Sequence, residues 1–212
     1  MCIRDSLDIM HSFNGYRTCY YRTFICGEPN KYQIDAYETA SKWISASIDL
    51  IRPGEQAFFD IIHSFNGYRT CYYRTMSVGS SSAVQRDAYT KAREWMDRAI
   101  ELVAPGVGTD EIARAWPKAT EFGFADEMAA FGLQFGHGLG LGLHERPVIS
   151  RLNSLSDPIE LQVGMVFALE TYCPGADGVA AARIEEEVVV TSDGPTILTR
   201  FPAQELMVAN KY

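Results

Sequence analysis

"HSFNGYRTCYYRT" occurs twice in this chain of 212 residues, first at His11–Thr23 and again at His63–Thr75. In each copy, an apolar run and a run rich in Tyr and Thr flank an Asn-Gly dipeptide, which predicts two β-strands joined by a tight turn. A helical pattern follows each copy, at about residues 32–51 and 83–103, and a Pro-Gly pair comes after it. The repeated stretch therefore predicts a β-hairpin followed by an amphipathic helix, present twice.

The two copies lie 52 positions apart, agree closely in the hairpin and diverge after it. Solenoids need about three or more units, so two copies do not indicate a repeat array. One explanation is a duplication; the other is a join of two homologous genes through sequence assembly or recombination. We favour the join, because residues 1–6 have no counterpart and the junction "RPGEQAFFD" (52–60) is abrupt. Sequencing the source locus in one read across Glu55 decides between them.

The chain is accordingly divided into residues 1–57, the duplicated hairpin–helix unit, and residues 58–212, which carry the chemical motifs. The first copy has Asp8 and Cys19 but no set of His and Glu residues after them, so we expect it to fill space and not to form a second site. From Thr109, expected as the N-cap, a helix is predicted to run to about Phe122, with a break near Pro117.

Composition and charge exclude several classes of protein. The formal net charge of −8 disfavours nucleic acid as a partner. No apolar run approaches the roughly 20 residues that a membrane-spanning helix needs, so no membrane association is expected. The five cysteines are odd in number and lack the spacing of a disulfide framework or a metal knuckle. Reduced thiols in a cytoplasmic protein are the expected reading.

Three stretches of the second part carry candidate chemistry. In "LQFGHGLGLGLHERP" (133–147), glycines let the backbone approach a ligand, and His137 and His144 lie seven residues apart. These histidines could bind a metal, move a proton or simply pack; the glycine-rich setting favours a functional role. Glu170 ends the apolar run in "GMVFALE", and Glu185 precedes a run of valines. A carboxylate beside a buried strand is costly unless it is paired or bound to a cation.

The run Glu185–Glu187 also has an ordinary interpretation as a solvated cluster of charges. Because side chains alternate along a strand, we expect at least one of the three to face solvent. The same alternation places Arg183 on the face of Glu185, where it either forms a salt bridge or binds a substrate carboxylate.

In their order along the chain, four motifs resemble those of the "pita-bread" metallopeptidases, a group that includes methionine aminopeptidase, aminopeptidase P, prolidase and creatinase. The resemblance covers residues 56–212 and is closest to the Xaa-Pro peptidase branch. It implies an α+β fold in which a curved antiparallel sheet is backed by helices, incomplete here because the half that precedes the hairpin in the family is missing. The motifs are "DIIHSFNGYRTCYYRT" (60–75), "FGHGLGLGLHERP" (135–147), "GMVFALE" (164–170) and "RIEEEVVVT" (183–191).

The resemblance implies a site in which two Asp, one His and two Glu hold two divalent metals. Cys71 stands where the family has its second, bridging Asp, and Tyr73 and Ile62 are further departures. Carried over by position, the metal ligands are Asp60, Cys71, His137, Glu170 and Glu185.

Cys71 decides what metal chemistry is expected. A thiolate suits zinc and cannot supply two separate oxygens as a bridge, whereas the remaining ligands suffice for one ion. We therefore expect one divalent ion, Mn²⁺, Co²⁺ or Zn²⁺, in place of two. The expected function is a metal-dependent hydrolase of the Xaa-Pro type acting on a small peptide or amide bond. Glu170 is expected as a ligand and base, His144 as the group that steadies charge or passes a proton, and Arg183 as a substrate-binding residue.

Two alternatives remain open at the level of the sequence. The first is a creatinase-like amidinohydrolase or amidase that works without metal, in which a His and Glu170 carry proton transfer. The second is a catalytically silent relative that binds a small ligand. The resemblance also implies a homodimer, because an incomplete fold leaves apolar surface to be covered.

Overall fold

The computed structural model describes residues 4–13, 16–25, 28–65, 67–129 and 135–209. The chain divides into two compact units, Met1–Leu50 and Ile51–Tyr212. The division falls before the expected boundary between residues 57 and 58, because the Pro53-Gly54 turn belongs to the second unit. There the amide of Gly54 donates a hydrogen bond of 2.7 Å to the carbonyl of Val78. None of the helices in the described ranges is both long and apolar enough to cross a membrane.

In its described residues, the first unit contains one hairpin and one helix. Strand β1 (Arg4–Phe13) pairs antiparallel with β2 (Tyr16–Ile25), and helix α1 (Lys31–Leu50) follows. A reciprocal capping box begins the helix: the amide of Asn30 donates to the side chain of Gln33, and the amide of Gln33 donates to the side chain of Asn30. Each bond satisfies a backbone donor that the first helical turn leaves without a partner.

The second unit begins with the same arrangement. Strand β3 (Gln56–Phe65) pairs antiparallel with β4 (Tyr68–Val78), and α2 (Ala83–Glu101) follows. Ser82 and Gln85 form the capping box of α2. The hairpin and helix predicted for each copy are therefore present at nearly the predicted bounds.

The remaining elements of the second unit are short. The expectation of Thr109 as the N-cap is wrong, because Gly108 is the N-cap, but the predicted break near Pro117 is present: the helix stops before Trp116, whose backbone is extended, and a 3₁₀ turn ends at Phe122. The ring of a proline disfavours the helical conformation of the residue before it, so Pro117 explains why the helix ends before Trp116. The elements are α3 (Thr109–Ala115), a 3₁₀ turn (Ala119–Phe122), β5 (Gly136–Gly138), β6 (Glu145–Ile149), β7 (Val166–Pro174), β8 (Ala181–Thr191), β9 (Gly194–Ile197) and β10 (Met207–Ala209).

Two sheets organise the second unit. One has the order β10-β4-β3, with β10 parallel to β4, and the other has the antiparallel order β6-β5-β7-β8-β9. Helix α2 packs on β7 and β8, while β4 also packs on β8. The core lies between α2 and the five-stranded sheet and includes Ala92, Met96, Phe167, Leu169 and Ile184, all fully or almost fully buried.

The two helices differ sharply in burial despite their related sequences. Tyr89 and Met96 of α2 are 3% and 0% exposed, whereas the matching residues of α1, Tyr37 and Ile44, are 57% and 62% exposed. Among the described residues, the first unit has two strands and no equivalent of the five-stranded sheet. A lone hairpin supplies too little apolar surface to bury a helix face, so α1 leaves its apolar face in solvent.

All three glutamates of the run in β8 are buried, which corrects the expectation that at least one faces solvent. Their exposed fractions are 0% for Glu185, 2% for Glu186 and 8% for Glu187. Side chains do alternate, but β8 is covered on both faces. Glu186 lies on the side of α2, where Arg93 contacts it, and Glu187 accepts a hydrogen bond of 2.7 Å from the amide of Cys71 on β4.

A buried arginine joins β4 to β8. Arg74 is 1% exposed, and its guanidinium forms an ion pair of 3.0 Å with Glu186. The same group donates to the carbonyl of Glu185 (2.6 Å) and to that of Phe201. Arg93 from α2 lies 3.2 Å from the second oxygen of Glu186. Because every charge in this cluster is desolvated, removal of one partner leaves another buried without compensation.

We predict that Arg74→Leu lowers the free energy of unfolding by about 3–5 kcal/mol, the usual cost of breaking a buried ion pair. Urea unfolding of the full chain, followed by circular dichroism, measures this. Lys91→Met is the matched control, because Lys91 and Asp87 form an ion pair whose side chains are 52% and 57% exposed. An exposed pair of this kind contributes about 1 kcal/mol or less. Equal effects of the two variants would contradict the structural role assigned to Arg74.

Candidate metal centre

The chemically active side chains surround one cavity of about 270 Å³ in the second unit. All seven residues that the sequence nominated for the site lie in its wall. The lining residues are Asp60, Ile62, Cys71, Tyr73, His137, Leu143, His144, Glu170, Arg183 and Glu185.

Strand register brings these residues together. In the hairpin, Asp60 lies opposite Tyr73, and Cys71 lies two residues before Tyr73 on the same face of β4. In the larger sheet, Glu170 of β7 lies opposite Glu185 of β8. Because β4 packs on β8, the inward faces of the two sheets meet at the cavity.

The glycines around His137 allow β5 to lie between β6 and β7. A Cβ atom added at Gly138 would lie 2.2 Å from the carbonyl oxygen of Arg146, and one at Gly136 would lie 2.7 Å from that of Ala168. Both distances are far below a van der Waals contact with backbone that cannot move aside. These two glycines therefore fix His137, which is 1% exposed, at the wall of the cavity.

Three donor groups form a tight buried cluster. Single ligand atoms of Cys71, His137 and Glu185 all lie within 4.8 Å of one another. The Cys71 Sγ atom is 3.6 Å from Glu185 Oε2, and His137 Nε2 is 3.4 Å from Glu185 Oε1. Cys71 is 4% exposed and Glu185 is 0% exposed, so water screens this cluster only weakly.

The cluster fits a cation. Among the described residues, Glu185 Oε1 is a buried atom with no hydrogen-bond partner of good geometry. A buried carboxylate oxygen without such a partner is costly, and a bound cation removes that cost. His137 Nδ1 lies 3.1 Å from the carbonyl oxygen of Gly138. The carbonyl can only accept, so Nδ1 donates, and Nε2 is directed at Glu185 as in a metal-ligating histidine.

The other two expected ligands, Asp60 and Glu170, lie outside this cluster of three donors. Asp60 is exposed, with Oδ1 lying 3.6 Å from Cys71 Sγ. Glu170 is 8% exposed, and its Oε2 atom accepts a hydrogen bond of 2.8 Å from the guanidinium of Arg183. Arg183 in turn lies over the ring of Tyr73, at 3.7 Å from its centroid. Glu170 is therefore held within an Arg183–Tyr73 arrangement and lies outside the cluster of three donors.

Burial and charge shift the protonation equilibria of the site. Burial, together with the charges of Glu185 and Asp60, raises the pKa of the Cys71 thiol. Burial and the charge of Glu170 raise the pKa of Glu185 against the opposing effect of His137. Burial opposes the charged form of His137, but the nearby Glu185 carboxylate and the hydrogen bond to the Gly138 carbonyl outweigh it, so the pKa of His137 is raised.

His144 lies at the mouth of the cavity. Its ring centroid is 4.1 Å from that of His137, and its side chain is exposed. Partial burial and the proximity of His137 lower the pKa of His144, so its neutral form predominates at pH 7.

Glu187 contacts the backbone of the cluster, a contact that the sequence analysis did not predict. By accepting the amide hydrogen of Cys71, it fixes the backbone of the thiol-bearing residue against β8. Thr75 assists in the same way, because its hydroxyl donates to the carbonyl of Arg183 and accepts from its amide, both at 2.8 Å. Because strand side chains alternate, Glu187 lies on the same face of β8 as Glu185, and the sequence alone would have predicted this.

The chain belongs to metallopeptidase family M24. The family model matches residues 54–192 and, separately, residues 6–57, so each copy of the hairpin–helix unit is recognised. The fold of the second unit is the pita-bread fold anticipated from the motifs. It aligns with the crystal structure of dipeptidase PepE from Mycobacterium ulcerans at a TM-score of 0.62 and 31% sequence identity, over 74% of this chain and 41% of that one.

Further relatives belong to the Xaa-Pro branch. The prolidase structure from Thermococcus sibiricus aligns at a TM-score of 0.62 and 29% identity, covering 74% of this chain and 41% of that one. The Xaa-Pro dipeptidase of Lactobacillus helveticus is 34% identical over 158 residues, which make up 73% of this chain and 40% of the relative. That of Pyrococcus furiosus is 36% identical over 160 residues, 73% of this chain and 42% of the relative. The chain thus spans about two fifths of the length of these relatives.

We predict that Gly138→Ala destabilises the second unit by about 1–3 kcal/mol, because its Cβ would meet the backbone at Arg146. Thermal unfolding monitored by circular dichroism measures the effect. Gly140→Ala is the control: its Cβ would meet the Glu145 carboxylate at 3.1 Å, and that flexible side chain can move. A Gly138→Ala variant as stable as Gly140→Ala would show that β5 tolerates displacement.

Proposed function

We propose that this protein is a metal-dependent hydrolase of the Xaa-Pro peptidase type, which cleaves a small peptide or amide bond. The observation that carries the proposal is the convergence of Asp60, Cys71, His137, Glu170 and Glu185 on one cavity. The relatives named above are Xaa-Pro dipeptidases, a prolidase and a dipeptidase, which supports peptide hydrolysis as the chemistry.

One divalent ion, Mn²⁺, Co²⁺ or Zn²⁺, is proposed as the cofactor. Cys71, His137 and Glu185 hold it, with Asp60 beside them and Glu170 as the fifth member of the ligand set carried over from the family. When bound, such an ion acts as a Lewis acid that activates water and polarises the scissile carbonyl.

His144 and Glu170 are the proposed catalytic residues. Neutral His144 can donate a hydrogen bond to the carbonyl oxygen of the substrate as negative charge develops there, and it can pass a proton. Glu170 is the proposed base. Its ion pair with Arg183 orients one of its oxygens.

Arg183 is the proposed substrate-binding residue. Its side chain is 39% exposed, and a guanidinium carries five N–H donors, so the pairing with Glu170 leaves donors for the carboxylate of a short peptide. Tyr73 stacks beneath the guanidinium and restricts the cavity on that side. A cavity of about 270 Å³ suits a small substrate.

The relatives lend no support to a metal-free amidinohydrolase or to a silent binding protein. The variant Asp60→Ala separates these readings, because it should abolish a metal-dependent activity and largely spare a metal-free one.

We expect purified full chain supplied with Mn²⁺, Co²⁺ or Zn²⁺ to hydrolyse members of a panel of Xaa-Pro dipeptides. Asp60→Ala and His137→Ala should each lower kcat/KM by roughly a hundredfold or more, since ligands of a metal site act as a unit. The rate is measured as the release of free proline, quantified by chromatography after derivatisation of its amine.

Asp8→Ala is the matched control for the assay. It changes the same residue in the first copy, within nearly identical sequence, and we expect kcat/KM to stay at the parent value. Absence of turnover on the whole panel, from a sample shown to be folded, would remove the proposal of peptidase activity.

A homodimer and a cytoplasmic location complete the proposal. Phe58, Phe59, Ile62 and Tyr68 of the hairpin are 42–63% exposed, which leaves apolar surface for a second copy to cover. Cys71 and Cys173 are free thiols, as suits a reducing compartment. Sedimentation equilibrium should give twice the chain mass; a monomer at micromolar concentration would exclude the dimer.

A further inference from the structure

We propose that Cys71 makes this centre a site for a single thiophilic cation such as Zn²⁺, held by Cys71 Sγ, His137 Nε2 and Glu185, with Asp60 as the fourth donor. This inference rests on the metal dependence within the proposed function and specifies the class of ion. It concerns binding alone, so it is tested without substrate.

Three distances between donor atoms are close to those of a tetrahedral zinc site. With Zn–S near 2.3 Å and Zn–N or Zn–O near 2.0 Å, tetrahedral angles place S and O donors about 3.5 Å apart and N and O donors about 3.3 Å apart. Cys71 Sγ lies 3.6 Å from an oxygen of Glu185 and 3.6 Å from an oxygen of Asp60. His137 Nε2 lies 3.4 Å from Glu185 Oε1. These three distances, two of which reach different oxygens of Glu185, are close to the donor separations of a zinc tetrahedron, and the ligand atoms of Cys71, His137 and Glu185 lie within 4.8 Å of one another.

The buried oxygen of Glu185 points to a cation independently of the cysteine. Glu185 is fully buried, and its Oε1 atom has no hydrogen-bond partner of good geometry among the described residues. It faces Nε2 of a histidine whose Nδ1 is already committed to the Gly138 carbonyl. A positive charge between this nitrogen and the carboxylate oxygen stabilises the pair, and either a proton on Nε2 or a bound metal ion supplies it.

The surroundings of Cys71 are those of a ligand and not of a packing residue. Buried cysteines that only pack behave as small apolar groups among other apolar groups. Here Sγ lies against the carboxylates of Asp60 and Glu185. The Cys71 amide is fixed by Glu187, so the side chain starts from a rigid backbone.

One ion is favoured over two for a reason visible in the geometry. A bridging carboxylate gives one oxygen to each metal, whereas a thiolate offers a single sulfur in place of two separate oxygens. Glu170, the further carboxylate that a second ion would need, is paired with Arg183 at 2.8 Å. Thiolate also shifts preference toward zinc and away from manganese, which favours oxygen donors.

Cobalt spectroscopy of the full chain, stripped of metal and reduced, tests the sulfur ligand. We expect one equivalent of Co²⁺ to give a thiolate-to-cobalt charge-transfer band in the near ultraviolet. Cys71→Ser should lose the band, and Cys19→Ser, the same change in the identical stretch of the first copy, should keep it. A band that persists in Cys71→Ser, or is absent from parent protein that has bound Co²⁺, overturns the proposal. Circular dichroism verifies that each variant is folded.

Competition between Zn²⁺ and Mn²⁺ tests the selectivity. Most sites prefer zinc to manganese, so the informative quantity is the change in that preference between parent and Cys71→Asp. We expect Cys71→Asp to lower the Zn²⁺/Mn²⁺ affinity ratio by at least about tenfold, the scale on which groups around a metal alter its affinity. An unchanged ratio overturns the proposal.

The outcomes separate this inference from the proposed function. If the cobalt band and the altered ratio appear but no Xaa-Pro peptide is cleaved, the metal site stands and the peptidase proposal fails. If Xaa-Pro peptides are cleaved but parent protein that has bound Co²⁺ shows no thiolate band, the peptidase proposal stands and the role of Cys71 is refuted.

Discussion

The ion-paired cluster of Arg74, Glu186 and Arg93 is the constraint on which the second unit depends. It joins β4, β8 and α2 at one buried point, and Arg74 also bonds the Glu185 carbonyl, one residue from the acid it pairs with. A buried ion pair contributes little net stability but is costly to break, so it specifies one arrangement of these three elements. That arrangement sets the cavity, since β4 supplies Cys71 and β8 supplies Glu185.

Because β8 is covered on both faces, its three glutamates are buried, which costs desolvation free energy and places Glu185 at the cavity. The three consecutive glutamates have different partners. Glu186 pairs with two arginines, and Glu187 accepts a hydrogen bond from a backbone amide. Glu185 lies 3.4 Å from a histidine and keeps one oxygen without a hydrogen bond among the described residues. The first two are satisfied by the protein itself. The third is the one for which we propose a cation, and its neighbours, a thiol and an imidazole, are the further ligands of that proposal.

The sequence was sufficient for the parts of the structure that follow from local pattern. Strand alternation and the Asn-Gly turn predicted both hairpins, and motif order predicted that Asp60, His137 and Glu185 share a site. It was insufficient where the outcome depends on distant packing. Alternation gives the two sides of β8 but cannot tell that α2 and β4 cover both. The sequence allowed a salt bridge for Arg183 but could not show that Glu170 is its partner. It also could not show that β10 (Met207–Ala209) adds to β4, because strand pairing leaves no periodic pattern in the sequence.

The repeated hairpin distinguishes the structure that its own sequence determines from the burial that depends on the neighbouring sheet. Both copies pair in the same register, with Asp8 opposite Tyr21 and Asp60 opposite Tyr73. Both helices begin with a capping box, so local structure is a property of the segment. Burial of the helix face occurs where the five-stranded sheet is present, and so does assembly of a donor cluster, because the His and Glu donors come from that sheet. A cysteine and an aspartate at the spacing of Asp60 and Cys71 therefore need the His of β5 and the Glu of β8 to form the proposed site.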